Sequence, residues 1–328
     1  MLGAPKQSFI AIGAGMISAL AAMAFFNTSI FAALFIYLAP LPLYLVGLSH
    51  HAKFTTIAAL SGFIVAGLIG GEVFAGLYAM IHALPSWLVI RQSMMCKIDQ
   101  QNTTEPQAPI ITEWAGSGQI LASLTALGAA MLTFAAILTI NQGGLLTFIE
   151  AKLNASFQLM APNMAMQLQT DTIAMVVNVF PGAIGVSWIL MGVANAVIAQ
   201  GILTKNTKNL RPTPDYTNIV LPLWLTWLLV GSAGLALFGS FFGNSGFEYF
   251  GQNLAMIIAA PFFLSGTAIA HQFSRQVRHG QAFLTIFYVM LIIFGWIALI
   301  IALLGIIDQW TGFSQKLLEA HKNTTNNE

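Results

Sequence analysis

Glu72 follows directly on Gly70 and Gly71 in an otherwise apolar stretch, and it is the only acidic residue before Asp99. A charged side chain at membrane depth costs about 2.5–3.5 kcal/mol on insertion scales, so it needs water, a partner or a purpose. Two readings stay open: a turn carboxylate reaching water, or a polar group at the mouth of an outward-facing cavity, where small neighbours let a ligand approach. Farther on, Asn178, Ser187, Asn195 and Gln200 punctuate one apolar run together with Pro181 and Gly182. Such amides serve either as hydrogen-bonding glue between helices or as the lining of a polar cavity, for which Glu72, Asn178 and Asn195 are the candidate residues. Proline within a span frees a carbonyl one turn earlier, which places this helix inside a bundle. His82 and His271 each lack an Asp, Glu or His at i+3 or i+4, whereas a metal centre needs three or four converging ligands. Cys96 is the single cysteine, so neither an internal disulfide nor a cysteine zinc pair forms. The chain carries no nucleophile motif, Walker loop, dinucleotide fingerprint or zinc-protease motif. No catalytic residue, cofactor or metal ligand is assigned, and a non-enzymatic protein is expected.

The elements that must hold these residues are membrane helices. Of 328 residues 57% are hydrophobic and 7% charged, against about 25% charged in soluble domains. Apolar runs long enough for a hydrocarbon core of about 30 Å recur throughout. The expected fold is an all-α polytopic bundle of nine spans in one membrane domain, 1–328, at 9–26, 30–48, 55–70, 73–90, 119–140, 172–203, 221–242, 250–270 and 282–307. The third and fourth are joined as a tight helical hairpin at Gly70-Gly71-Glu72. The first run is too long for a signal-peptide core and reads as an uncleaved anchor. Lys6, Lys53, Arg91 with Lys97, Lys205 with Lys208 and Arg211, and Arg275 with Arg278 fall in alternate gaps. They put the amino terminus in the cytoplasm, with a bacterial inner membrane as the location. A net charge of +1 without a basic block leaves no footprint for nucleic acid, so membrane lipids are the constant partner. The polar stretch 93–118 reads as a cytoplasmic loop without assigned structure. Segment 145–168 reads as an amphipathic helix along the outer interface, interrupted at Pro162, with Leu145, Ile149, Leu153, Phe157, Met160, Met164 and Leu168 on one stripe. A weaker version occupies 309–318.

Three motifs stand out: YLAPLPLYLVGL at 37–48, ALPSWLVIRQSMM at 83–95 and RPTPDYTNIVLPLWL at 211–225. Pro40 and Pro42 predict a broken second helix, Pro85 a kink, and Pro222 a helix start. Trp87 and Arg91 share a face as interface belt and snorkel, while Asp215 can cap the segment after it. Together the motifs resemble the YybS-like family of multi-pass bacterial membrane proteins of unknown function, in its alphaproteobacterial form. That family is grouped with the membrane-embedded substrate-binding components of energy-coupling-factor vitamin transporters. The resemblance implies a small-molecule-binding or transport-related component; the alternative is a non-catalytic scaffold or assembly factor that binds other membrane proteins. Gly15 and Ala19 lie on a small-residue stripe of the first helix. Such a stripe packs either on this chain's own helices or, as the resemblance implies, on a partner membrane protein. Arg211 and Asp215 are the candidate docking residues of the third motif, whose loop is either a rigid docking element or a structural turn.

The charge alternation is tested by thiol labelling. Cysteine introduced at Ser29 or Asn154 should react with an impermeant reagent in intact cells and Cys96 should not; labelling of Cys96 would reverse the orientation.

Overall fold

The computed structural model describes residues 4–26, 29–99, 110–160 and 166–312. Residues 100–109 of the expected loop 93–118, the interruption at Pro162 and the part of the second amphipathic segment beyond residue 312 lie outside them. Six helical runs among the described residues are long and apolar enough to cross a membrane: Phe31–His50, Ala52–Ser93, Ser117–Gln142, Phe180–Lys205, Leu223–Phe241 and Ser245–Ser274. Nine spans were expected: the α-helix of the first ends at Ala22 and continues as a 3-10 turn, Met23–Phe26; the third and fourth are the two arms of the single run Ala52–Ser93; and the ninth is divided into two shorter helices. Two compact units divide the chain, 1–124 with 190–215 and 125–189 with 216–328.

In the first unit α1 (Ala4–Ala22) lies directly on α4 (Ala52–Tyr78). A Cβ on Gly15 would overlap the carbonyl oxygen of Ala58, and Ala11 and Ala19 are fully buried. The docking stripe read from the sequence is therefore filled by the chain's own α4. Polar bonds cross the same seam: Ser61 Oγ donates to Ile12 O at 3.1 Å and Tyr78 OH to Ser18 Oγ at 2.9 Å. The helical run from Ala52 reverses at Gly71, whose φ of 81° and ψ of 176° favour glycine. Beyond it Ala75 returns against Gly67 and Tyr78 against Gly62, so the two arms form a hairpin with almost no loop. A π turn at Ala79–Ala83 leads into α5 (Leu84–Ser93). The stretch 93–118, expected to lack structure, contains strands β1 (Cys96–Asp99) and β2 (Ile110–Trp114). They pair antiparallel with Cys96 opposite Trp114 and a bulge between Lys97 and Ile98. Four- and five-residue strands are too short to show a clear period of two among polar residues.

In the second unit α7 (Gly144–Met160) packs on α8 (Met166–Val177) through Leu146, Ile149, Leu153 and Phe157 against Ile173 and Val177. The amphipathic stripe thus meets a helix where the sequence suggested the bilayer surface. The expected continuous span 172–203 breaks at Asn178-Val179, and α9 (Phe180–Lys205) starts there with Pro181 in its first turn, where the missing N–H costs nothing. From residue 190 onward α9 belongs to the first unit, as does the start of α6 (Ser117–Thr139). Helix α10 (Leu223–Phe241) is antiparallel to α11 (Ser245–Ser274), with Gly251 against Ala236 and Gly239 against Glu248. The expected ninth span, 282–307, is two helices, α12 (Gly280–Ile293) and α13 (Ile297–Thr311), interrupted at Phe294-Gly295-Trp296.

The α1–α4 seam makes a discriminating prediction. Gly15→Leu should lower stability in detergent by about 2 kcal/mol or more, because backbone has to move. Gly13→Leu, at a position where a Cβ meets nothing within 4 Å, should melt like the wild type. Equal melting of the two variants would refute the packed seam.

Candidate functional site at a broken helix

Between α2 (Ile30–Leu38) and α3 (Leu41–His50) the backbone stays helical at Ala39 and Pro40, but the hydrogen-bond ladder is interrupted, because Pro40 and Pro42 remove two N–H donors within three residues. Ala39 N closes back on Ile36 O at 3.2 Å. The carbonyl of Tyr37, which a continuous helix would pair with the N–H of residue 41, is met by Asn195. Asn195 Nδ2 donates to Tyr37 O at 2.7 Å and to Met191 O at 2.8 Å. Both partners are acceptors, so the amide orientation is fixed. Its Oδ1 faces elsewhere, fully buried and without a hydrogen bond.

Other polar groups gather at the same break. The buried Tyr44 directs its hydroxyl toward α9, 3.6 Å from where a Cβ on Gly192 would stand. That hydroxyl lies beside Ser86 but outside hydrogen-bonding geometry. Ser86 Oγ instead donates to His82 O at 2.6 Å. His82 belongs to the π turn, which widens the helix directly before Pro85, whose ring has no N–H to return to the preceding turn. It is buried at 4% exposure, and its Nδ1 has no partner. Ala39, Tyr78 and Ala83 pack in one cluster, which holds the π turn against the break. Three polar atoms of this unit are buried without a hydrogen bond: Asn195 Oδ1 and Tyr44 OH on helices that flank the interruption, and His82 Nδ1 on the π turn. Each costs about 1–3 kcal/mol if it stays unmade. A molecule carrying its own donors and acceptors would satisfy them. Among the described residues no three His, Cys, Asp or Glu side chains come together to hold a metal.

The break between α8 and α9 is handled differently. Asn253, 1% exposed on α11, donates from Nδ2 to Asn178 O at 2.9 Å and accepts at Oδ1 from Gly182 N at 2.8 Å. Tyr249 OH donates to Val177 O at 2.9 Å. One amide thus satisfies the end of one helix and the start of the next.

A model of the family described as Predicted membrane protein (DUF2232) matches residues 16–309. The chain belongs to this family. No curated protein and no solved structure matches it.

In this DUF2232 protein the sequence candidates fall in separate places. Glu72 is exposed beside the Gly71 reversal, while Asn195 is fully buried at the α2–α3 break. Asn178 is exposed, and its carbonyl rather than its side chain meets Asn253. Arg211 is 5% exposed: Nη1 donates to Ser93 O at 3.0 Å, Nη2 to Ala115 O at 3.2 Å, and the guanidinium stands 5.7 Å over the Trp114 ring. It ties the end of α5 to the β hairpin, and Gln200 Nε2 in turn donates to Arg211 O at 3.1 Å. Asp215 is exposed and caps no helix, since α10 begins at Leu223 behind Pro222. Tyr44, Ser86 and Asn253 escaped the sequence reading. Asn253 could have been found as a lone amide early in an apolar run, whereas Tyr44 gains meaning only from the break that Pro40 and Pro42 create.

The DUF2232 clamp is open to test by thermal unfolding in detergent. Asn253→Leu strands Asn178 O and Gly182 N and should cost about 3 kcal/mol or more. Asn178→Ala keeps the carbonyl and should cost less than about 1 kcal/mol, as exposed substitutions do. Equal costs would show that the clamp adds nothing.

Proposed function

We propose that this protein is a transport-related membrane component, without catalysis of its own, that binds a small polar molecule at the α2–α3 break. The observation that carries this reading is the trio of buried unpaired atoms on Tyr44, His82 and Asn195. Interrupted helices are tolerated at membrane depth where they are buried in protein or line a cavity, and transporters use them to hold ligands. The motif resemblance to energy-coupling-factor substrate components points the same way at the level of fold. Gly15 packs against α4 and Ala19 is fully buried, so the first-helix stripe lends support neither to a transport partner nor to a scaffold partner. The alternation of Lys and Arg supports a bacterial inner-membrane location with the amino terminus in the cytoplasm.

The test is mass spectrometry of small molecules retained after purification in mild detergent. The wild type should carry a metabolite that Tyr44→Phe retains about tenfold less, the equivalent of one hydrogen bond, with an unchanged elution profile. Equal retention by the two proteins, or none by either, defeats the reading.

A further inference from the structure

Helix α12 is laid across the end of α11 instead of alongside it. The chain leaves α11 at Ser274, where Gly280 packs so closely that a Cβ would overlap Ser274 O. It is back beside α11 at Gly266, whose Cβ would overlap Ile301 O, and Gly305 meets Phe262 in the same way. Those two pairs make α13 antiparallel to α11. Gly266 and Ser274 are only about 12 Å apart along the axis, yet α12 is about 21 Å long, so it must run sideways. Its sequence, GQAFLTIFYVMLII, is apolar apart from Gln281, Thr285 and Tyr288 on one face, where Tyr288 OH lies 2.8 Å from His271 Nε2, and none of its residues is buried. Only acyl chains offer such a helix a matching solvent.

The turn at its start is basic. Arg275 caps the C-terminus of α11, Arg278 follows, and His279 precedes α12. Both arginines are exposed, and neither guanidinium has a hydrogen-bond or ion-pair partner among the described residues. No Asp or Glu lies between Glu248 and Asp308. At the far end of α12 stands Trp296, 61% exposed, a residue type that favours the headgroup level. Two interface anchors thus bracket an apolar helix, with free positive charge at one of them.

We propose that the α11–α12 turn is a binding site for an anionic phospholipid, its phosphodiester held by Arg275 and Arg278 and its acyl chains packed against the apolar faces of α12. The charge asks for an anion, and the helix asks that the anion carry hydrocarbon. Phosphatidylglycerol and cardiolipin meet both demands.

The experiment is native mass spectrometry of the full chain in dodecyl maltoside, titrated with dioleoyl-phosphatidylglycerol. Dioleoyl-phosphatidylcholine and inorganic phosphate serve as competitors. Removing both arginines as R275Q/R278Q should weaken phosphatidylglycerol binding about thirtyfold, from the contribution of each basic residue near a lipid surface. K205Q/K208Q, which removes two exposed lysines elsewhere, should bind as the wild type does, and phosphatidylcholine should compete poorly. Binding unchanged in R275Q/R278Q, an equal loss in K205Q/K208Q, or displacement by phosphatidylcholine as effective as by phosphatidylglycerol itself would each overturn the site. Displacement by millimolar inorganic phosphate alone would overturn the lipid assignment in favour of a plain anion.

Discussion

A bilayer offers no water to a broken helix, and the architecture depends on how each break is repaired. An interrupted helix exposes carbonyls and N–H groups that cost several kcal/mol each in hydrocarbon. Asn253 answers one interruption with both ends of its amide, donating to Asn178 O and accepting from Gly182 N. Asn195 answers the other with its nitrogen only, through Tyr37 O and Met191 O. The first amide is spent on structure. The second keeps a buried acceptor in hand, and that difference is what singles out the α2–α3 break as a place for a ligand.

Backbone contact does the remaining work of cohesion. Lipid tails are as apolar as leucine, so burying side chains gives no net attraction between membrane helices, and close packing takes over. Gly15 against Ala58, Gly266 against Ile301 and Gly305 against Phe262 let carbonyls approach where any Cβ would collide. The outward surface shows the inverse pattern. Phe9, Leu68 and Ile292 are each more than 70% exposed, which is tolerable only where the solvent is hydrocarbon.

The membrane class, the break at Pro40 and Pro42, the hairpin at Gly71 and the helix start behind Pro222 were all legible in the sequence. Proline chemistry and glycine dihedrals act locally and leave a local trace. What the sequence hid depends on contacts distant along the chain. The stripe of Leu146, Ile149, Leu153 and Phe157 has the period of an amphipathic helix whether it faces headgroups or α8, and only Ile173 and Val177 decide between them. Arg211 reads in the sequence as a candidate docking residue of a loop, and only contacts with Ser93, Ala115 and Trp114 show it enclosed. The ninth run reads as one span because hydropathy measures oiliness and not direction, whereas it forms two helices divided at Phe294-Gly295-Trp296. GQAFLTIFYVMLII is as apolar as a crossing helix, yet it starts tight against the end of α11, with Gly280 on Ser274 O. Of the candidate cavity residues only Asn195 has its side chain at a break, and its partner groups on Tyr44 and His82 carry no motif that spacing alone could reveal.

The reversal at Gly71 bears on how the chain enters the membrane. Between the two arms there is no polar loop for the insertion machinery to hand across the bilayer, only a left-handed glycine and the exposed Glu72 beside it. Gly62 lies against Tyr78 and Gly67 against Ala75, so the 42 residues from Ala52 to Ser93 are suited to insertion as one packed pair, with a single carboxylate at its tip.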